Sequence, residues 1–99
     1  MNLALAQFEL AVEIDPEFAL AWVGIADTHF LLSNYGDRNP LHFEARKEAV
    51  ARALAIDDQL GEAYTTLATI LEDEKKFDEM NAAFQKTFEL SPNYAQAYH

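Results

Sequence analysis

Apolar residues recur along this chain at helical spacing, in blocks separated by short polar stretches. The first block, 3–14, carries an apolar stripe, and further blocks cover about 16–32, 40–56, 58–73 and 77–90. Another begins at Ser91-Pro92, and 33–39 is the only clear loop. The pattern predicts an all-α chain of about six helices, and the short connections predict antiparallel neighbours.

A ten-residue segment occurs in three similar copies, each where one block ends and the next begins. The copies are EIDPEFALAW at 13–22, AIDDQLGEAY at 55–64 and ELSPNYAQAY at 89–98. Each contains a residue of the type that caps helices, and these residues (Asp15, Asp57 and Ser91) are separated by steps of 42 and 34 positions. We expect each of them to cap the helix that follows. Self-similarity at this period is typical of stacked helical hairpins.

The repeated segments resemble tetratricopeptide repeats, which pair W-x₂-L-G-x₂-Y in a first helix with A-x₃-F and a later proline from the second. Residues 61–94 match one whole repeat, through Tyr64, Leu67, Ala68, Leu71, Met80, Phe84, Thr87 and Pro92. The resemblance implies a single domain of antiparallel hairpins in a right-handed superhelix. Its parts would be the second helix of a partial repeat (3–18), a lengthened repeat (19–60), the full repeat (61–94) and the start of another (95–99).

The flanking residues fit the same pattern, with some departures. The matching positions are Ala4, Phe8, Ala11 and Pro16, then Trp22, Ile25, Ala26 and His29, then Arg46, Val50, Ala53 and Asp58. Small residues there let helices approach closely, and aromatic ones fill the gaps between hairpins. His29, Arg46 and Asp58 replace the usual Tyr, Ala and Pro. A lengthened repeat followed by a regular one resembles the repeat regions of bacterial signalling and transcriptional regulatory proteins.

Charge and composition narrow the range of partners. The chain has 17 acidic and 7 basic side chains and a formal net charge of −10. Nucleic acids and anionic membrane surfaces are therefore not expected as ligands. The excess acid serves solubility, or else a basic partner or a salt-rich cytoplasm. Cysteine is absent, no apolar run approaches the length that spans a bilayer, and the start lacks the basic region of a signal peptide. We expect a cytoplasmic location, and a chain cut from a longer protein.

Residues with catalytic or ligating chemistry form no convincing constellation. His29 and Ser33 are spaced to meet on a helix, but no carboxylate is placed to orient the histidine. Glu72-Asp73-Glu74 lacks the spacing of a calcium loop, and His29, His42 and His99 lack metal-ligand spacing. We expect no enzyme activity, no metal and no cofactor.

The resemblance also implies a binding surface, because the first helices of successive hairpins line a concave groove. The residues expected there are Leu20, Val23, Asp27, Phe30, Leu31, Glu62, Thr65, Thr69, Glu72 and Asp73. They lack the Lys, Arg and Asn with which chaperone-binding members bind a terminal carboxylate. An amphipathic helix or an extended segment carrying Lys or Arg would suit them better. Alternatively, the apolar residues of this set (Leu20, Val23, Phe30 and Leu31) contact a helix of the preceding repeat, which this sequence does not include.

The loop at 33–39 is a second candidate binding surface, through Tyr35 and Arg38. Alternatively, this segment is a lengthened helix start that only caps the hairpin. The function that we predict is protein–protein interaction, as a scaffold or a regulatory segment of a larger protein. The alternative is a structural module whose exposed repeat ends cause self-association.

Overall fold

The computed structural model describes residues 3–34 and 40–90, and these form five α-helices with no strand among them. The helices are α1 (Leu3–Ile14), α2 (Ala19–Asn34), α3 (Leu41–Ile56), α4 (Gly61–Asp73) and α5 (Phe77–Leu90). The all-α prediction is confirmed for this part of the chain. The described count is five rather than six, since the sixth predicted helix begins at Ser91 and lies outside the described residues.

Two of the predicted helix starts are wrong, and both errors have the same cause. Asp15 and Asp57 were expected to cap α2 and α4, but α2 begins at Ala19 and α4 at Gly61. Each aspartate instead ends the preceding helix: the backbone N–H of Asp57 donates to the carbonyl of Ala53, as that of Asp15 does to Ala11. An aspartate carboxylate that accepts a bond from a nearby backbone N–H stabilises a turn as readily as a helix start.

The turns that follow Asp15 and Asp57 share one hydrogen-bond pattern. In each, the aspartate Oδ1 accepts the N–H two residues on, at 3.1 Å from Glu17 and 3.0 Å from Gln59. The aromatic residue seven positions on donates back into the turn, from Trp22 Nε1 to the Pro16 carbonyl and from Tyr64 Oη to the Asp58 carbonyl, both at 2.9 Å. The first two copies of the ten-residue segment therefore fold alike.

Consecutive helices pack against one another, and α2 also contacts α4. Along α2 and α3 the contacts run in reverse order. Trp22, early in α2, lies under Arg52 near the end of α3, while His29, late in α2, meets His42 at the start of α3. The α2–α3 pair is thus an antiparallel hairpin.

The core lies where α2, α3 and α4 meet. One cluster contains Ile25, Ala26, Ala49, Val50 and Ile70, and a smaller one contains Val23, Ala53 and Ala63. Alanines 26, 53 and 68 are fully buried, as the packing argument predicted. The aromatic side chains expected between hairpins (Phe8, Trp22, Tyr64 and Phe84) are partly buried.

Gly24 allows α1 to approach α2 closely. A Cβ atom at position 24 would lie 2.6 Å from Cε1 of Phe8, inside van der Waals contact. The Phe8 ring packs against the larger core cluster. The glycine therefore provides the space into which α1 inserts its aromatic side chain.

Lys75 closes the end of α4 in a left-handed conformation, with φ at 61°. The N–H of Lys76 donates to the carbonyl of Leu71 and that of Lys75 to the carbonyl of Glu72, both at 2.9 Å. This pair of bonds is the Schellman ending of a helix, in which glycine usually takes the left-handed position.

Candidate functional site

A cavity of about 630 Å³ lies between α2, α4 and α5. This is within the range of protein ligand sites. Its surface is mostly apolar, and its lining residues are Asp27, Phe30, Leu31, Gly61, Glu62, Thr65, Thr66, Thr69 and Thr87. We call it the α2–α4 cavity. Asp27, Leu31 and Glu62 are exposed, so the cavity opens to solvent.

Four threonines form much of the lining, and their hydroxyl groups are bonded within the protein. Thr65 donates to the Gly61 carbonyl at 3.3 Å, and Thr69 donates to the Thr66 carbonyl at 2.7 Å. The Thr87 hydroxyl lies 3.2 Å from the Ala83 carbonyl and 3.2 Å from the Thr65 hydroxyl. Since each hydroxyl hydrogen has an acceptor on the protein, the threonines offer a ligand their methyl groups and hydroxyl oxygens that can accept, but no free hydrogen-bond donor.

Asp27 is connected to α4 through Thr66. The Thr66 hydroxyl lies 3.0 Å from Asp27 Oδ1 and 3.1 Å from the Glu62 carbonyl oxygen, so both acceptors compete for one hydrogen. Partial burial raises the pKa of Asp27 above its ordinary value, while the bond from Thr66 and the charge of Arg46 act in the opposite direction. Its ionised carboxylate is therefore less well solvated than one in water.

Arg46 supports the apolar wall of the cavity. Its guanidinium carbon lies 4.7 Å from the centroid of Phe30, and the side chain is only 3% exposed. Nη1 donates to Asp73 Oδ2 at 2.9 Å and Nη2 donates to Thr69 Oγ1 at 3.2 Å. One buried cation thus joins α2, α3 and α4 behind the wall.

Six of the ten residues predicted to line a groove do line the α2–α4 cavity: Asp27, Phe30, Leu31, Glu62, Thr65 and Thr69. The prediction for Val23 is wrong, because Val23 is 5% exposed and belongs to the core. Leu20 lies apart, at two shallower depressions shared with Phe18. Glu72 and Asp73 lie outside the cavity lining, and Asp73 pairs with Arg46. The loop candidates Tyr35 and Arg38 lie outside the described residues.

The structure brings together two histidines that the sequence gave no reason to pair. Nδ1 of His29 and Nδ1 of His42 are 2.8 Å apart, so one ring donates and the other accepts. Partial burial lowers the pKa of His29, the charge of His42 lowers it further, and Glu9 opposes both. The 13-residue separation spans the end of one helix and the start of the next, which helical spacing rules do not connect.

No protein-family model matches the sequence, and no curated protein matches it.

Within residues 3–34 and 40–90, none of the helices combines the length and apolarity needed to cross a bilayer. The same residues contain no cluster of three or more metal-ligating side chains.

Proposed function

We propose that this chain is a protein-interaction module built of tetratricopeptide-like hairpins, and that a segment of its partner binds in the α2–α4 cavity. The observation that carries the proposal is the cavity itself: an apolar, solvent-open recess between helices that already pack against one another. Apolar recesses with a few polar groups are the usual ligand sites of proteins.

Two features support the tetratricopeptide-like arrangement. The turns after Asp15 and Asp57 use the same bonds, so each chain reversal between hairpins is made in the same way. In addition, α2 and α4 are neighbours although α3 separates them in sequence. Both features are expected when two-helix units stack in register, with the first helix of each unit beside that of the next.

A partner segment would meet a surface with little freedom left to lose. The threonine hydroxyls are bonded to protein acceptors, and Phe30 is held against the buried Arg46. Binding to side chains that are already fixed costs less conformational entropy than binding to mobile ones. Such a surface suits a scaffold or a regulatory segment that captures a partner without reorganising.

A matched pair of substitutions tests the proposal. Leu31 is 50% exposed at the cavity and Leu10 is 56% exposed on α1, so glutamate at either position costs the core little. Peptides selected from a random display library against the purified chain should lose about tenfold or more in affinity for Leu31→Glu, which corresponds to about 1.4 kcal/mol. Affinity for Leu10→Glu should remain unchanged. Failure to select any peptide sensitive to Leu31→Glu would refute the proposal.

A second candidate function, self-association, is favoured by exposed apolar residues on α1 and the start of α2. Leu3, Leu10, Ile14, Phe18 and Leu20 are between 45% and 76% exposed. Apolar residues gathered in this way are typical of contact surfaces. Sedimentation over a concentration series tests this role: Ile14→Glu should shift an associating chain toward monomer. A chain that is monomeric at every concentration would exclude self-association.

A further inference from the structure

The lining of the α2–α4 cavity includes two acidic residues, Asp27 and Glu62. Within residues 3–34 and 40–90, the ion pairs join Arg46 to Asp73, Lys47 and Lys76 to Glu74, and Arg52 to Glu48. Neither Asp27 nor Glu62 takes part in one. The Thr66 hydroxyl contacts the carboxylate of Asp27 and the backbone carbonyl of Glu62. The cavity thus carries two acidic residues in a lining that is otherwise mostly apolar.

The lining offers little to an extended peptide. A strand-like segment leaves its backbone N–H and C=O groups without internal partners, and these need acceptors and donors on the receptor. Here the hydrogens of the threonine hydroxyls already have acceptors on the protein, so they are not available to the C=O groups of such a segment, and the Gly61 carbonyl already faces two hydroxyls. A helical segment satisfies its own backbone and presents only side chains. The cavity therefore favours a helix.

Charge decides which helix fits. An apolar ligand without charge would remove water from Asp27 and return no compensating interaction, which is unfavourable for a carboxylate. An acidic ligand would add repulsion to a chain whose formal net charge is −10. A lysine or arginine beside these residues would supply an ion-pair partner, which neither Asp27 nor Glu62 has within residues 3–34 and 40–90.

We infer that the occupant of the α2–α4 cavity is a basic amphipathic helix, which inserts an apolar side chain among the threonine methyl groups and pairs a lysine or arginine with the acidic residues of the lining, Asp27 and Glu62. This inference rests on the proposed function and adds the chemistry of the partner. Partial burial, which raises the pKa of Asp27, agrees with it, because a bound cation would restore the lost solvation.

The test uses four synthetic peptides of equal length. Three are amphipathic helices with the same leucine positions, and their polar positions carry lysine, glutamine or glutamate. The fourth has the composition of the lysine peptide in alternating apolar–polar order, which favours an extended conformation. The lysine helix should bind tightest, about fivefold or more above the glutamine helix, a ratio near the upper end for exposed ion pairs. The glutamate helix and the alternating peptide should bind much more weakly, and added salt should weaken the lysine helix.

Charge-removing variants assign the effect to the cavity. The double variant Asp27→Asn/Glu62→Gln should abolish the preference for lysine over glutamine. The control Asp78→Asn/Glu89→Gln removes the same charge from exposed positions on α5, outside the cavity lining, and should preserve that preference. A preference reduced equally by both variants would show attraction to net charge only, and would overturn the inference.

The outcomes separate this inference from the proposed function. If the lysine and glutamine helices bind equally and both are sensitive to Leu31→Glu, the role of the cation is refuted, while the cavity remains a binding site. Tighter binding of the alternating peptide would refute the helix. If none of the four peptides binds while display-selected peptides do, the inference is refuted and the proposed function is not. If no ligand is sensitive to Leu31→Glu, both this inference and the proposed function are refuted.

Discussion

The guanidinium of Arg46 lies over the ring of Phe30, 4.7 Å from its centroid, on the side of the ring that α3 covers. Arg46 also bonds to Asp73 and Thr69 on α4. Because Phe30 lines the cavity, this contact holds part of the cavity wall against a buried cation. Changes that loosen Arg46 should therefore affect both the free energy of unfolding and the shape of the cavity.

Asp73→Asn should destabilise the fold by about 1–3 kcal/mol, because it removes the charge that compensates a buried guanidinium. The Nε of Arg46 has no hydrogen-bond partner among residues 3–34 and 40–90, so within them the cation depends on the bonds made by its two other nitrogens. Urea unfolding measures the effect. Glu72→Gln is the matched control, since Glu72 is exposed and should change stability by less than about 0.5 kcal/mol. Equal effects of the two variants would mean that the ion pair does not stabilise the fold.

Gly24→Ala should lower stability, although the same change inside an exposed helix raises it by about 1 kcal/mol. The added methyl group would overlap the ring of Phe8, and overpacking of this kind costs about 1–3 kcal/mol. Thermal unfolding followed by circular dichroism measures the change.

A double-mutant cycle isolates this clash. In a Phe8→Ala background the obstacle is gone, so Gly24→Ala should become neutral or stabilising. If Gly24→Ala is equally harmful with and without the ring, the contact between α1 and α2 is not the reason for the glycine.

Lys75→Gly should stabilise the chain by about 1 kcal/mol, because a side chain in the left-handed region costs about 1–2 kcal/mol and glycine avoids most of that cost. The observation behind it is the φ of 61° at Lys75. Lys75→Ala removes the same charge but keeps a Cβ atom, so it should bring no comparable gain. A midpoint of urea unfolding that rises equally for both variants would attribute the effect to charge.

His29 should make stability depend on pH in the mildly acidic range. Burial and the charge of His42 lower its pKa in the folded chain below the ordinary value of 6.5. Below about pH 6.5 the unfolded chain therefore binds more protons than the folded one, and stability falls as the pH drops toward the folded pKa. His29→Asn should flatten the slope of unfolding free energy against pH in this window.

His42→Asn provides the companion measurement. Without the second imidazole charge, the pKa of His29 should rise toward its ordinary value and the slope should become smaller. NMR titration of the His29 ring checks this directly. An unchanged slope in His29→Asn would show that another group causes the pH dependence.

The sequence predicted some helices better than others, for physical reasons. The bounds of α1 and α5 agree with prediction, since both follow from where the apolar pattern starts and stops. The starts of α2 and α4 were placed too early, because an aspartate at a helix boundary is compatible with ending one helix or beginning the next. Val23 was placed on the wrong face because α2 is apolar on nearly all sides, which leaves helical periodicity little to distinguish.

Six of the predicted groove residues on α2 and α4, with Asp27 and Thr65 among them, line the cavity. What the sequence missed depends on partners far along the chain. Arg46 finds Asp73 at a separation of 27 residues, and Thr87 reaches the lining from α5. Such pairings are set by how the helices dock, and spacing within one helix carries no information about them.

The bonded state of the threonine hydroxyls has a thermodynamic consequence for any ligand. A side chain entering among their methyl groups displaces water that is weakly held, so little enthalpy is lost by its removal. Burial of that surface should appear in calorimetry as a negative change in heat capacity. Leu31→Ser should make the heat-capacity change smaller, because it removes apolar surface that a ligand would otherwise bury in the recess.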